Sequence, residues 1–113
     1  MKPAAICSLL SVALLLGCRH EPNVDRGRQL IAQYGCTACH IIPGVKGPRG
    51  MVGPPLEHIG AQNMIAGKIP NTPANMERWL QNPQAMDPTN AMPNLGVTPN
   101  DAKEIAAYLY TLK

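Results

Sequence analysis

Phenylalanine is absent from this 113-residue chain, and one Trp and three Tyr are its only aromatics. A small core built from such a sequence lacks aromatic bulk of its own. Charge is also scarce: Asp, Glu, Lys and Arg make up 15%, against about a quarter in a typical soluble protein. The net charge of +3 is scattered, with no run of Lys or Arg, which excludes a nucleic-acid footprint. No alternating strand pattern, repeat or low-complexity tract appears. The length is that of one small domain, not of a multi-domain enzyme or a long bundle. Pro (12) and Gly (10) are abundant, so turns should be many, yet an apolar content of 45% is too high for a disordered chain.

Residues 1–17 read as an export signal. Lys2 supplies the positive start, and Ala4 to Leu16 form an apolar stretch too short for the roughly 20 residues of a membrane-spanning helix. The segment ends Leu15-Leu16-Gly17-Cys18, which resembles a bacterial lipobox. In such signals the Cys is lipidated and becomes the first mature residue. Cys18 is thus the expected lipidation site; an ordinary cleaved signal and an uncleaved anchor are the alternatives. Residues 18–22 would be a short tether and 23–113 the domain. A domain of that size is marginal unless a disulfide, metal or cofactor adds to its core.

With Cys7 in the signal and Cys18 at the lipid site, two cysteines remain, in Cys36-Thr37-Ala38-Cys39-His40. A disulfide across so short a loop would staple little. A redox dithiol lacks its β-α-β context, and a zinc site lacks two further ligands at finger-like spacing. Cys-x-x-Cys-His is instead the attachment signature of c-type haem. Two thiols one turn apart reach the vinyl groups on one side of a porphyrin, and the following His turns its imidazole toward the iron. One covalently bound haem c also answers the shortage of core bulk.

A six-coordinate iron needs a ligand opposite His40, and a Met there raises the reduction potential. The candidates are Met51, Met64, Met76, Met86 and Met92. Met76 reads as helix packing, Met51 lies only a short loop beyond His40, and Met64 sits on a longer loop. Met86 and Met92 lie between two expected helices, where a loop could cover the far face. Met92 is favoured because Pro93 restricts it to extended conformations and so preorganises its thioether. Met86 and His58 are the alternatives.

Local signals predict three helices. The first spans about 24–34, capped by Asn23 and stopped by Gly35. The second spans 73–82, with Thr72 as cap, Pro73 at its first position and Asn82-Pro83 at its end. The third spans 99–112, capped by Thr98, with Ala102, Ile105, Leu109 and Leu112 along one face. A short helix near 56–61 is possible, and residues 41–55 hold too many Gly and Pro for regular structure.

These residues together resemble the class I c-type cytochromes, from about Val24 to the C-terminus. Gly27-Arg28-Gln29-Leu30-Ile31 and Tyr34-Gly35-Cys36 are similar to that family's first helix and its approach to the haem motif. Gly53-Pro54-Pro55-Leu56 resembles a Gly-Pro-x-Leu segment. Trp79 to Pro83 followed by Asn90-Ala91-Met92-Pro93 resembles the cytochrome c domains of bacterial respiratory proteins, including those fused to oxidase subunit II. Ile105 to Leu109 resembles the last helix.

The resemblance implies an all-α fold, with three main helices and loops wrapped around the haem. It implies that Pro54, or alternatively Pro55, accepts the second ring N–H of His40, and that Gly27 lies where the first helix crosses the helix of Tyr108. It implies that Trp79 lies near a haem propionate, beside the plainer reading of a core residue. The family's aromatic in the first helix is missing; Leu30 or Ile31 stands in its place. Function is then single-electron transfer, without enzymatic activity, by an exported, lipid-anchored protein at the periplasmic or outer face of a bacterial membrane. Its partners would be an oxidase, reductase or dehydrogenase, with no nucleic acid, and it would be a monomer unless part of a complex. The alternatives are a permanent subunit of a respiratory complex and, with less support, a haem enzyme or gas sensor.

Overall fold

The computed structural model describes Gly17 and residues 20–113. The export signal expected over 1–17 (Gly17 apart) and the lipidation site Cys18 lie outside the described residues. Among the described residues, no helix is long and apolar enough to cross a membrane.

Among the described residues, four α-helices form in chain order: α1 (Val24–Gln33), α2 (Pro73–Gln81), α3 (Pro83–Met86) and α4 (Pro99–Leu109). Two 3₁₀ turns, Cys36–Ala38 and Ile59–Ala61, and a minimal antiparallel hairpin, β1 (Met64–Ile65) with β2 (Ile69–Pro70), lie between α1 and α2. The caps explain the starts. Asn23, Thr72 and Thr98 each accept a hydrogen bond from the backbone N–H three residues on, at 3.0, 3.2 and 3.2 Å. Gly35, in the left-handed region at φ 73°, follows the end of α1.

Three differences from the sequence expectation have physical causes. Asn82 does end α2, but its side chain also accepts from Ala85 N–H at 3.0 Å and starts α3, so one residue is both stop and cap. The third helix stops at Leu109 rather than 112. Thr111 and Leu112 N–H bond three residues back, to Tyr108 and Leu109, and the Leu112 carbonyl is drawn off to accept from Gly60 N–H at 2.7 Å. The hairpin was not foreseen because two-residue strands are too short to show alternation.

The core gathers Leu30 and Ile31 of α1, Met76, Trp79 and Leu80 of α2, and Ala102, Ile105, Ala106 and Leu109 of α4. Helix α4 is the hub, packed against both α1 and α2. The α1–α4 crossing is closest at Gly27, where a Cβ would overlap the Glu104 carbonyl and stand 3.2 Å from the Tyr108 Cβ. Only a glycine admits this approach. Tyr34 Oη, about two turns further along, donates to Asp101 at 2.6 Å.

Glu104 is 4% exposed, an unusual place for a carboxylate. Its two oxygens are satisfied by the Asn23 backbone N–H and by His20 Nε2, the latter at 2.5 Å. A capping box normally takes its acid from the same helix; here α4 supplies it to α1. The same contact fastens His20, within the segment read as a tether, to the domain.

Burial works against ionisation of Glu104, but the hydrogen bonds from His20 and Asn23 and nearby positive charge outweigh it. The carboxyl is held below its ordinary range. Its contribution to stability is therefore complete above the unfolded glutamate pKa of about 4.3 and is lost as pH falls through the lower folded value. Denaturant unfolding of the holoprotein, followed by helix circular dichroism from pH 7 to 3, should show stability falling below about pH 4. Glu104→Gln should lower stability at pH 7 and flatten that acid slope; an unchanged slope would show that Glu104 is not the responsible group.

Candidate cofactor site

The motif follows α1 directly. Gly35 turns the chain, and the 3₁₀ turn closes with Cys39 N–H and His40 N–H both directed at the Cys36 carbonyl, at 3.3 and 3.1 Å. In such a turn residues three apart eclipse. Cys36 and Cys39 therefore stand one above the other. Both are free thiols, partly buried, and burial pushes the Cys36 thiol up from its ordinary range.

The segment 50–56 runs alongside this turn and is pinned to it by three backbone bonds. Gly50 N–H donates to Thr37 at 3.0 Å, Gly53 N–H to Cys39 at 2.7 Å and Leu56 N–H to Ile41 at 2.9 Å. The register puts the Pro54 carbonyl 2.7 Å from His40 Nδ1. A carbonyl only accepts, so Nδ1 carries the proton, and the neutral ring in this tautomer presents an unshared pair at Nε2. Pro55, the alternate acceptor, is not the partner of this bond.

Glycine makes the approach possible at two places. A Cβ on Gly50 would overlap the Ala38 carbonyl. One on Gly53 would stand 2.7 Å from His40 Nδ1 and 2.9 Å from Nε2, in the space of the imidazole itself. The requirement at Gly50 was missed in the sequence, and Gly53 was read only as part of a motif. A turn-rich loop gives no sign of which of its glycines lies under a ring.

The methionines separate by environment. Met51 is 84% exposed, Met64 is 39% exposed at the hairpin, and Met76 is 2% exposed inside α2. Met86 and Met92 are partly buried and pack against the core. The backbone of Met92 is held at both ends by side chains: its N–H donates to Asn90 Oδ1 at 2.6 Å, and its carbonyl accepts from Gln84 Nε2 at 2.8 Å. The same Gln84 nitrogen donates to the Asn90 carbonyl at 2.8 Å.

Beneath this, Asp87 accepts from the Thr89 hydroxyl at 2.6 Å and its N–H at 3.1 Å, and lies 3.3 Å from Lys68 Nζ. The Thr89 hydroxyl bond and the Lys68 charge hold the Asp87 carboxyl below its usual range. Gln84, Asn90, Asp87 and Lys68 were not singled out in the sequence. Asn90 alone carried a signal, two residues before the favoured Met. Trp79 is 7% exposed and sits in the core on α2; His58 is exposed at the start of the second 3₁₀ turn.

This donor set fits a covalently held haem. It offers two thiols one turn apart, an imidazole of fixed tautomer and a thioether on a clamped backbone. Cys36 and Cys39 would carry the porphyrin and His40 would supply the nitrogen ligand. Among the described residues, no buried side-chain polar atom lacks a hydrogen-bond partner and no cluster of His, Cys, Asp or Glu offers a different metal site.

The family model described as Cytochrome c matches residues 24–113. Cytochrome c oxidase subunit 2 of Alkalihalophilus pseudofirmus is 32% identical over 94 residues, which cover 82% of this chain. The chain spans only about a quarter of that relative, 27% of its length. The crystal structure of SoxXA from P. pantotrophus contains a chain of like fold, with a TM-score of 0.62 and 22% identity, over 83% of this chain and 84% of that one.

Gly53→Ala should force the imidazole or the loop to move. Overpacking of this kind costs about 1–3 kcal/mol. The expected result is a lower melting temperature of the holoprotein together with a shifted midpoint potential. If both stay at the wild-type values, the close approach at Gly53 does not constrain His40.

Proposed function

The chain belongs to the cytochrome c family, and from that premise we propose that it is a membrane-tethered monohaem cytochrome passing single electrons between respiratory proteins. Haem c, bound covalently through Cys36 and Cys39, is the family's cofactor; when bound it supplies a one-electron ferrous–ferric couple. His40 and Met92 would be the two residues that hold its iron.

The observation that carries this reading is the bond from His40 Nδ1 to the Pro54 carbonyl. It commits one ring nitrogen to the protein, leaves Nε2 for the iron, and holds the ring at one orientation while raising its basicity. Met92 would contribute a neutral, polarisable sulfur, which favours the reduced state and so would raise the potential. With both of these residues on the iron, a substrate would find no place there, which would suit a carrier rather than an enzyme. A core of Ile, Leu and Val beside these residues would limit rearrangement when the charge changes.

A second reading, a permanently bound subunit of a respiratory complex, draws on the likeness to an oxidase subunit. Purification from native membranes separates the two, since a carrier leaves as a free monomer and a subunit stays with its complex.

Exported and cleaved at Gly17-Cys18, the protein would be anchored by acyl chains on Cys18 at the periplasmic or outer face of a bacterial membrane. Each buried CH₂ contributes roughly 0.8 kcal/mol to such anchoring. Intact mass of the membrane-derived protein should show an acylated N-terminal Cys18. A mature N-terminus that is unmodified, there or further on, would overturn the tether.

A redox titration of the holoprotein should give a one-electron wave, and the ferric form should show the weak near-infrared band of sulfur-ligated haem. Met92→Ala should abolish that band and lower the midpoint potential. Survival of the band in this variant would remove Met92 from the iron.

A further inference from the structure

Residues 87–98 contain neither helix nor strand, so no regular element carries Met92. Pro93 narrows the backbone angles of Met92 itself, but it does not fix where residues 87–91 deliver that residue. The loop is located by side-chain amides. Gln84, in the four-residue helix α3, sends its Nε2 to two carbonyls, Asn90 and Met92, each at 2.8 Å. A primary amide nitrogen has two protons, so this fork uses its full donor capacity. Asn90 completes the ring. Its Oδ1 accepts from Met92 N–H at 2.6 Å, and its Nδ2 donates to the carbonyls of Asp87 at 2.7 Å and Pro83 at 3.3 Å.

We propose that Gln84 is the positioning residue for the Met92 thioether, setting the place at which the sulfur is offered to the iron. The proposal rests on the reading of Met92 as the far axial ligand. A thioether is a weak neutral ligand that holds its place only if the loop conformation presenting it is the dominant one. Without the Gln84 fork, two carbonyls lose their donor and that conformation loses population. An outside ligand then competes more easily for the iron. Helix α3 is too short to hold itself by propagation. The same fork therefore ties α3 and the loop into one unit, and the Gln84 amide is the side-chain link from α3 to the Met92 carbonyl.

The test uses carbon monoxide, a neutral probe, against the ferrous holoprotein. Gln84→Leu removes both donors with little change in bulk. Gln84→Glu keeps the length and a polar surface while removing both donors, and serves if the Leu variant does not mature. Gln81→Leu is the control, because the Gln81 amide bonds only its own helix, at Glu77. Either Gln84 variant should bind carbon monoxide about tenfold more tightly, the equivalent of one net hydrogen bond. Its ferric near-infrared band should weaken, while Gln81→Leu stays at wild type.

Wild-type carbon monoxide affinity and band intensity in a Gln84 variant would overturn the proposal. So would equal changes in Gln81→Leu. Met92→Ala, measured in parallel, separates the two layers. If it keeps the band, the ligand reading itself fails. If it loses the band while the Gln84 variants do not change, only the role of Gln84 falls.

Discussion

At Gly50 two stretches of backbone meet, and at Gly53 the chain lies against the His40 imidazole, both too close for any Cβ, and the site depends on that meeting. The Cys36–His40 turn is local and would form from its own sequence. The imidazole orientation is not local. It is imposed from fourteen residues away by the Pro54 carbonyl, which reaches Nδ1 only because Gly50 and Gly53 let the segment lie flat on the turn. Three backbone hydrogen bonds fix the register. A slip of one residue would offer the His a different carbonyl and place a Cβ where the ring now stands.

The helices serve this arrangement by holding its two ends. Helix α1 delivers the motif, and α4 holds α1 through the Gly27 crossing, the Tyr34–Asp101 bond and the Glu104 carboxylate. Tyr108, also on α4, donates to the Pro43 carbonyl at 2.5 Å and so anchors the loop that leaves the motif. Tyr110, just past α4, bonds Asn71, whose own amide holds the Ile59 and Gln62 carbonyls. Two of the three tyrosines of this aromatic-poor chain thus pin loops, and the third ties α1 to α4. Their hydroxyls matter as much as their rings.

What could be read in the sequence was what is encoded within a few residues. Asn23, Thr72 and Thr98 announced helix starts, Pro73 and Pro99 marked first positions, and Gly35 marked a stop. The attachment motif is contiguous. Pro54 was reachable only through likeness to a family, because its partner is set by loop closure that no spacing rule gives. Asn82-Pro83 carried two signals at once, and the stop concealed the start of α3. The hairpin turn uses Ala66 at φ 51°, where Asn or Gly would have announced it. Glu104 looked like one more surface acid on a helix, since its partners His20 and Asn23 lie over eighty residues away. Gln84 gave no signal because a side-chain amide bonds any carbonyl the fold brings to it.

The His40 segment and the proposed Met92 side are therefore built from different materials. On the His40 side, backbone bonds, obligatory glycines and covalent attachment leave little freedom. On the Met92 side, the chain has no regular element, and its place rests on amides from Gln84 and Asn90 and on the Asp87–Thr89–Lys68 cluster beneath. Breaking one of these bonds frees a short loop, whereas disturbing the Gly53 contact disturbs the motif itself. Variation in sequence should thus be tolerated unequally on the two sides. Substitutions around Met92 would shift only a loop held by side-chain amides, whereas those at Gly53 press on the His40 imidazole itself.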